Sequence, residues 1–389
     1  MNRAIVRIVL IITVILLSLT GCWSGKEIQN LGYAKALGID YIDNEFIVYA
    51  QMLDFTSIAK MEGGGSSGPN APVWVGKGRG KSFNMAVTDL YKTSQLRINW
   101  GHLTAIVLTE RALKAKVEFL SDMIVRYPEI RYNAWLYGTR SSLEELLSAT
   151  PMFKKSPIAS ILHSPEDNFS QISLFPPVYF FKYLSKYNEK AGSAYLPSLS
   201  LNEAQWKENK KKHGLLMIDG GFFESNRKIR GYLSRQKMLG YHWLQANTHR
   251  APINIERDGI LYGEIIVDVN KIKIKPVIQG SEVHFHILAK LTGSNYEYVV
   301  PISREEMNQI GANIIKSQIM NTYIEGLKIG VDIYGLEVTL FRKHPKLWKK
   351  LTNNGDHLLI DKQSIEKLDI RLNIPYNGRN KRIVDNEDL

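Results

Sequence analysis

Residues 1–22 constrain this chain more than any other stretch. Arg3 and Arg7 precede an apolar run from Ile8 to Leu19. That run suits the core of an export signal and is short for a membrane-crossing helix, which needs about 20 residues. Leu19-Thr20-Gly21-Cys22 follows, in the pattern of a lipobox. Small residues before the cysteine let the chain enter a peptidase, and the thiol then carries a thioether-linked diacylglyceryl group. Residues 1–21 therefore read as a lipoprotein signal peptide, and Cys22 as the mature N-terminus and site of lipid attachment. Two acyl chains hold a protein stably on a bilayer where one does not. No later stretch is continuously apolar over a span's length, so everything after Cys22 is expected to lie outside the bilayer.

The chain has 389 residues and one cysteine, Cys22. An intrachain disulfide and a thiolate zinc site are both excluded, because each needs further sulfurs. A 44% hydrophobic content is ample for buried cores and leads us to expect more than one domain. The formal charge is +12, of which the leader's Arg3 and Arg7 carry two. A basic balance suits nucleic acid or an anionic membrane surface. The densest run, Lys210-Lys211-Lys212-His213 beside Trp206 and Lys207, lacks a reader motif and reads as a solvated loop. With an export leader in front, no nucleic-acid partner is expected.

Elements follow from periodicity. Glu45 to Gln51 reads as a strand. Gly63 to Pro69 is a flexible loop by composition. Phe83, Ala86, Val87 and Leu90 take helical spacing behind Ser82 as N-cap. Leu103 to Leu108 is a short buried strand, and Phe119, Met123 and Ile124 mark another helix. Ser141 with Glu144 forms a capping-box pattern before Leu146 and Leu147. Pro197 to His213 is polar and lysine-rich, which places a linker at residues 200–212. It separates an N-terminal region, 22–199, from a C-terminal region, 213–389. Beyond it Ile272 and Ile274 alternate with lysines, as do Val283, Phe285 and Ile287 with polar residues. Ser303 and Glu306 cap the longest helix, with Met307, Ile310, Ile314, Tyr323 and Leu327 as its apolar stripe. Leu368, Ile370, Leu372 and Ile374 form a strand closed by Pro375. This mixture predicts an α+β, multidomain fold with largely antiparallel sheets.

Chemistry-bearing patterns are thin. Gly76-Lys77-Gly78-Arg79-Gly80-Lys81-Ser82 looks like a phosphate loop, but only three residues separate its outer glycines where four are needed. A turn into a helix accounts for it better. His284 and His286 share a strand face without a third metal ligand at fixed spacing. No nucleophile elbow, zinc-protease helix or cysteine nucleophile appears. Arg97, His102 and Arg126 with Glu110 and Glu129 suggest ion pairs or partner contacts more than a catalytic set. We expect no catalytic residue, no cofactor and no metal, and so no enzyme.

Several short motifs, in order along nearly the whole chain, resemble the Ger(x)C family, the C subunits of spore germinant receptors. Cys22-Trp23, Glu27-Ile28, Leu31-Gly32 and Gly38-Ile39-Asp40 open the resemblance. It continues through Arg97, Gly101-His102, Glu110, Ala112, Arg126, Glu129 and Arg131. Later come Gly214-Leu215, Gly231 to Ser234, Gly240, Trp243-Leu244, Lys275-Pro276, Asp332 to Leu336, Pro345 and Trp348. Ser24 departs from the pattern, standing where an acidic residue is common. The resemblance implies three α+β domains and a lipoprotein on the outer surface of the spore inner membrane. It also implies polytopic A-type and transporter-like B-type receptor subunits as partners, and a diacylglyceryl and N-acyl anchor in the membrane. No catalytic residue carries over, and Cys22 alone is transferred as a functional position. The rival expectation is a solute-binding lipoprotein that delivers a nutrient to a membrane transporter. Such proteins have two α/β lobes, and the sequence shows no alternating βαβ pattern.

Overall fold

The structure, a computed structural model, describes residues 31–53, 72–115, 126–280 and 282–375, with Ile5, Arg7, Thr13 and Ile124. The rest of the expected signal peptide, Cys22, the Gly63–Pro69 loop, Phe119 and Met123 lie outside the described residues. The fold is α+β, with sheets of nine, four and two strands.

Strands β1 (Leu31–Ile42) and β2 (Glu45–Leu53) form a hairpin. Their two-residue turn, Asp43-Asn44, has positive φ at both positions (52° and 61°). That geometry matches strand twist, and Asn and Asp tolerate it better than other side chains. Strand β3 (Val73–Gly80) adds antiparallel to β2, and helix α1 (Phe83–Tyr91) then crosses back over β3. Ser82 caps α1 by accepting from the Met85 amide, and the buried positions are Phe83, Ala86, Val87 and Leu90. The Gly76–Gly80 run is thus strand, not a phosphate loop. A Cβ on Gly78 would meet the Ala86 carbonyl oxygen at 2.1 Å and the Leu90 amide nitrogen at 2.6 Å. Glycine is there so that helix backbone can lie directly on strand backbone.

Strands β4 (Arg97–Asn99), β5 (Ala105–Thr109), β6 (Trp135–Thr139) and β7 (Ser193–Asn202) follow. β1, β5, β6 and β7 are successive parallel neighbours, and β4 pairs parallel with the start of β1. The sheet therefore has a parallel centre, although antiparallel pairs outnumber parallel ones among the described residues. Between β6 and β7 lie α2 (Leu143–Ser148), α3 (Pro165–Gln171) and α4 (Phe180–Tyr187). The cap of α2 is Ser142, which accepts from the Glu145 amide, one residue later than the Ser141 and Glu144 pattern suggested.

Residues 200–212, expected as a linker, contain the end of β7 and a small lysine-rich ribbon, β8 (Lys207–Glu208) with β9 (Lys211–Lys212). Its turn, Asn209-Lys210, again has positive φ twice. On either side β7 pairs with β10 (Leu215–Ser225) from Ser193↔Ser225 to Asn202↔Leu215, so the ribbon is the tip of one long hairpin. Strand β11 (Lys228–Ser234) completes the sheet.

The second sheet runs β12 (Ala251–Arg257), β13 (Ile260–Gln279), β14 (Glu282–Tyr298) and β15 (Ile365–Asn373). β15 is parallel to β14, the other pairs antiparallel. Helix α5 (Arg304–Lys328) covers it, and α6 (Leu336–Lys343) and α7 (Pro345–Leu351) follow. Ser303 caps α5, accepting from the Glu306 amide and donating to the Glu306 carboxylate. Met307, Ile310, Ile315, Ile319 and Tyr323 are buried on it, and Ile314 and Leu327 of the expected stripe are partly buried against the same core.

Adjacent residues of β7 and β10 serve different cores. Leu196 and Phe222 point into the core under α1 and α4. Tyr195 and Phe223 point the other way, into the core shared with α5 and the second sheet.

Candidate functional site

Three buried polar clusters gather the chemistry-bearing side chains, and each is tied into the framework. Asp40 on β1 accepts from Thr109, from the Tyr41 amide and from both Nε and Nη2 of Arg111. Burial opposes its ionisation, but the hydrogen bonds from Arg111 and Thr109 prevail and hold its carboxyl below the ordinary value. The pair fixes the segment after β5 to the β1–β2 hairpin.

His163 joins three segments. Its Nε2 lies 2.8 Å from Gln51 Oε1 and its Nδ1 2.6 Å from Thr104 Oγ1, while Gln51 donates to the Leu147 carbonyl at 2.7 Å. Gln51 Oε1 can only accept, so His163 carries its proton on Nε2 and is neutral. Burial, with the charge of Lys35 adding to it, pushes its pKa down to about 3. No carboxylate partners the ring among the described residues, and a neutral, fully paired imidazole is a brace.

The third cluster surrounds α6. Asp332 Oδ2 accepts from the Glu337 amide at 2.7 Å. Glu337 Oε1 accepts from the Leu359 amide at 2.6 Å, and its Oε2 from the Trp348 indole at 2.9 Å. Burial raises both carboxyls, Asp332 to about 7 with repulsion from Glu337 contributing. Gly335, in the left-handed region at φ 68°, supplies the turn between Asp332 and the helix. Nearby, Trp243 donates to Gln318 of α5 at 2.7 Å, and the Gly240 amide to Thr322 at 2.9 Å.

Of the other residues considered from sequence, Arg97 and Glu129 border one recess, and Glu110, His102, His284 and His286 lie with other partners. Glu110 pairs with Lys114 and Arg140, His102 packs edge-on against Tyr33, and Glu129 faces the Trp100 amide at 3.5 Å. His286 contacts Glu366 at 2.8 Å and His284 contacts Glu282 at 3.5 Å, so the two imidazoles have separate partners. No group of three or more His, Cys, Asp or Glu suited to a metal occurs among the described residues. Nor does any helix there have the length and apolarity to cross a membrane.

Among the described residues are two recesses of about 340 Å³ each. One, beside the β8–β9 ribbon, is bordered by Asn168, Asn202, Gln205, Trp206, Met217 and Arg235. The other is bordered by Tyr91, Ser94, Gln95, Leu96, Arg97 and Glu129. It lies where β1, β3 and β4 begin and β2 ends. Sequence reasoning missed the buried clusters, because Gln51, Thr104, His163 and Glu337 are far apart in the chain and form no motif.

Two family models cover most of the chain. Residues 24–201 match the spore germination protein N-terminal domain, and residues 219–374 match the spore germination B3/GerAC-like C-terminal domain. The chain belongs to the Ger(x)C family. Among Ger(x)C relatives, spore germination protein KC of Bacillus subtilis (strain 168) is 19% identical over 91% of each chain. Spore germination protein B3 of the same organism is 25% identical over 88% of this chain and 91% of its own. The crystal structure of the GerBC protein superposes with a TM-score of 0.50 at 17% identity, covering 90% of this chain and 99% of that one. The likeness in fold therefore spans nearly the full Ger(x)C structure. Several of the motif residues that carried the resemblance, Gly240, Trp243, Asp332, Gly335 and Trp348, are the ones found holding α5, α6 and α7 in place.

Proposed function

We propose that this chain is the lipid-anchored C subunit of a spore nutrient germinant receptor, an interaction protein that performs no catalysis. In this reading Cys22 carries a diacylglyceryl group and an N-acyl chain and holds the folded part on the outer surface of the spore inner membrane. Its partners are the polytopic A-type and transporter-like B-type subunits. A tether raises effective concentration near such partners, so weak contacts suffice. Besides family membership, the observation that carries the reading is the fate of four buried ionisable groups. Asp40, His163, Asp332 and Glu337 bind backbone and neighbouring elements, which is the work of a scaffold. Cys22→Ala is expected to release the chain from the membrane fraction and depress germination. Unchanged membrane fractionation of that variant would remove the anchor from the account.

One feature favours a second reading, a solute-binding lipoprotein serving a transporter. The recess beside Trp206 sets Arg235 and the amides of Asn168 and Gln205 around apolar side chains, a lining suited to a small polar nutrient. Calorimetry on the whole chain with amino acids and sugars separates the two. Micromolar binding abolished by Arg235→Ala supports the second reading.

A further inference from the structure

We infer that the end of the nine-stranded sheet holding Leu31, Leu53, Val73 and Arg97 is a lipid-facing surface. It seats Trp74, Tyr91 and Leu96 at the headgroup level of an anionic bilayer. The inference rests on the anchoring reading above and adds an orientation to it.

Three observations converge on this end. First, an unusual set of large apolar side chains is exposed there: Trp74 at 68%, Leu96 at 43% and Tyr91 at 42%. They are neighbours. Trp74 is opposite Met52 in the β2–β3 register, and a Cβ on Gly32 would touch both Met52 and Leu96. Tyr91 receives a hydrogen bond from the Trp100 indole and borders the same recess as Leu96 and Arg97. Amphipathic aromatic rings favour the membrane–water boundary, where one edge is apolar and the other wet.

Second, the tether arrives here. Leu31 pairs with Arg97, and nine peptide units separate it from Cys22. An extended chain covers at most about 3.6 Å per residue, so the start of β1 stays within about 30 Å of an acylated Cys22.

Third, one cation at this end is free to meet an anionic headgroup. Lys92 is paired with Asp89, whereas Arg97, at the start of β4, makes no ion pair among the described residues. Arg97 opens onto the recess with Gln95, donors of the kind a lipid phosphate accepts from, while the Ser94 hydroxyl is given to the Leu96 carbonyl and Glu129 stands on the recess wall.

The parallel strands fix what faces away. β1, β5, β6 and β7 point in one direction, so the β8–β9 ribbon after β7 sits at the opposite end of the sheet from Leu31. Trp206 and its lysines are therefore directed away from the bilayer that the tether end touches.

The test uses the full acylated chain in anionic vesicles whose acyl chains carry bromine, which quenches nearby indoles. A Trp23→Phe background removes the tryptophan beside the anchor. Trp74→Phe should abolish most of the bromine-dependent quenching, and Trp206→Phe should leave it intact. Arg97→Glu, which sets a like charge against the headgroups, should reduce it. A chain that floats with the vesicles but loses no quenching on Trp74→Phe overturns the surface while sparing the anchor, and assigns the aromatic cluster to a protein partner. A chain that does not float overturns the anchor and the orientation with it.

Discussion

The Trp348 indole donates to the buried carboxylate of Glu337 across 2.9 Å, and that carboxylate also receives the Leu359 amide. One side chain thus clamps α7 and the segment before β15 onto α6. Glu337→Ala leaves these donors buried without acceptors, at a cost of about 1–3 kcal/mol for each unsatisfied group. Denaturant unfolding followed by tryptophan fluorescence should show a large drop in midpoint. Glu337→Gln, which keeps one acceptor oxygen and whose neutrality suits a carboxyl raised by burial, should lose less.

Asp332 predicts a pH dependence. Its folded pKa is raised to about 7 from 3.8, so between those values the folded chain holds a proton that the unfolded chain has released. Stability from this group is complete below the lower value and falls as pH rises through the window, by up to about 1.4 kcal/mol per unit. Asp332→Asn should flatten that slope in melts recorded between pH 4 and 7.

His163 and His242 act with the opposite sign. Burial lowers both to about 3 from 6.5, so the unfolded chain takes up protons first and stability falls as pH drops below 6.5. Their substitutions should differ. Both His242 nitrogens are buried without partners, and His242→Phe should be tolerated and should remove part of the acid slope. His163→Phe strands Gln51 and Thr104 and should cost about 1–3 kcal/mol. Parallel melts of the two variants at pH 7.5 and 5, roughly a unit or more either side of a free imidazole, check both statements.

Gly78→Ala should lift α1 off β3, because the added methyl meets helix backbone that cannot rotate away. Overpacking of this kind costs about 1–3 kcal/mol. Gly259→Ala is the control, since nothing lies within 4 Å of that position and only its φ of 77° is strained. A thermal shift as small for Gly78→Ala as for the control would contradict the packing account.

Elements with a regular period and a capping residue were legible in the sequence. Ser82 before Phe83 and Ser303 before Arg304 mark true helix starts, and the alternation through Leu372 and Ile374 marks β15. The parallel centre was not legible. Leu103 to Leu108 was readable as a buried strand and is β5 (Ala105–Thr109), but Trp135–Thr139, buried on both faces, shows no alternation to betray it, and neither run carries a sign of its direction. The expectation that βαβ connections are lacking fails for that reason. Lysines drew attention to residues 200–212 as a linker, whereas the turn signal there is Asn209-Lys210, and Asp258-Gly259 announces the β12–β13 hairpin in the same way. Of the proposed functional positions, Cys22 came from sequence alone, and the cluster of Trp74, Tyr91 and Leu96 needed the register of four strands.

The neighbouring rings of Phe222 and Phe223 have a mechanical consequence. They sit back to back on one strand, each wedged among residues from a different half of the molecule. The backbone of β10 is thus common to both cores, so a displacement of one is passed to the other along a single strand. With the anchoring proposed at Cys22, a pull on that end is expected to reach the second core by this route.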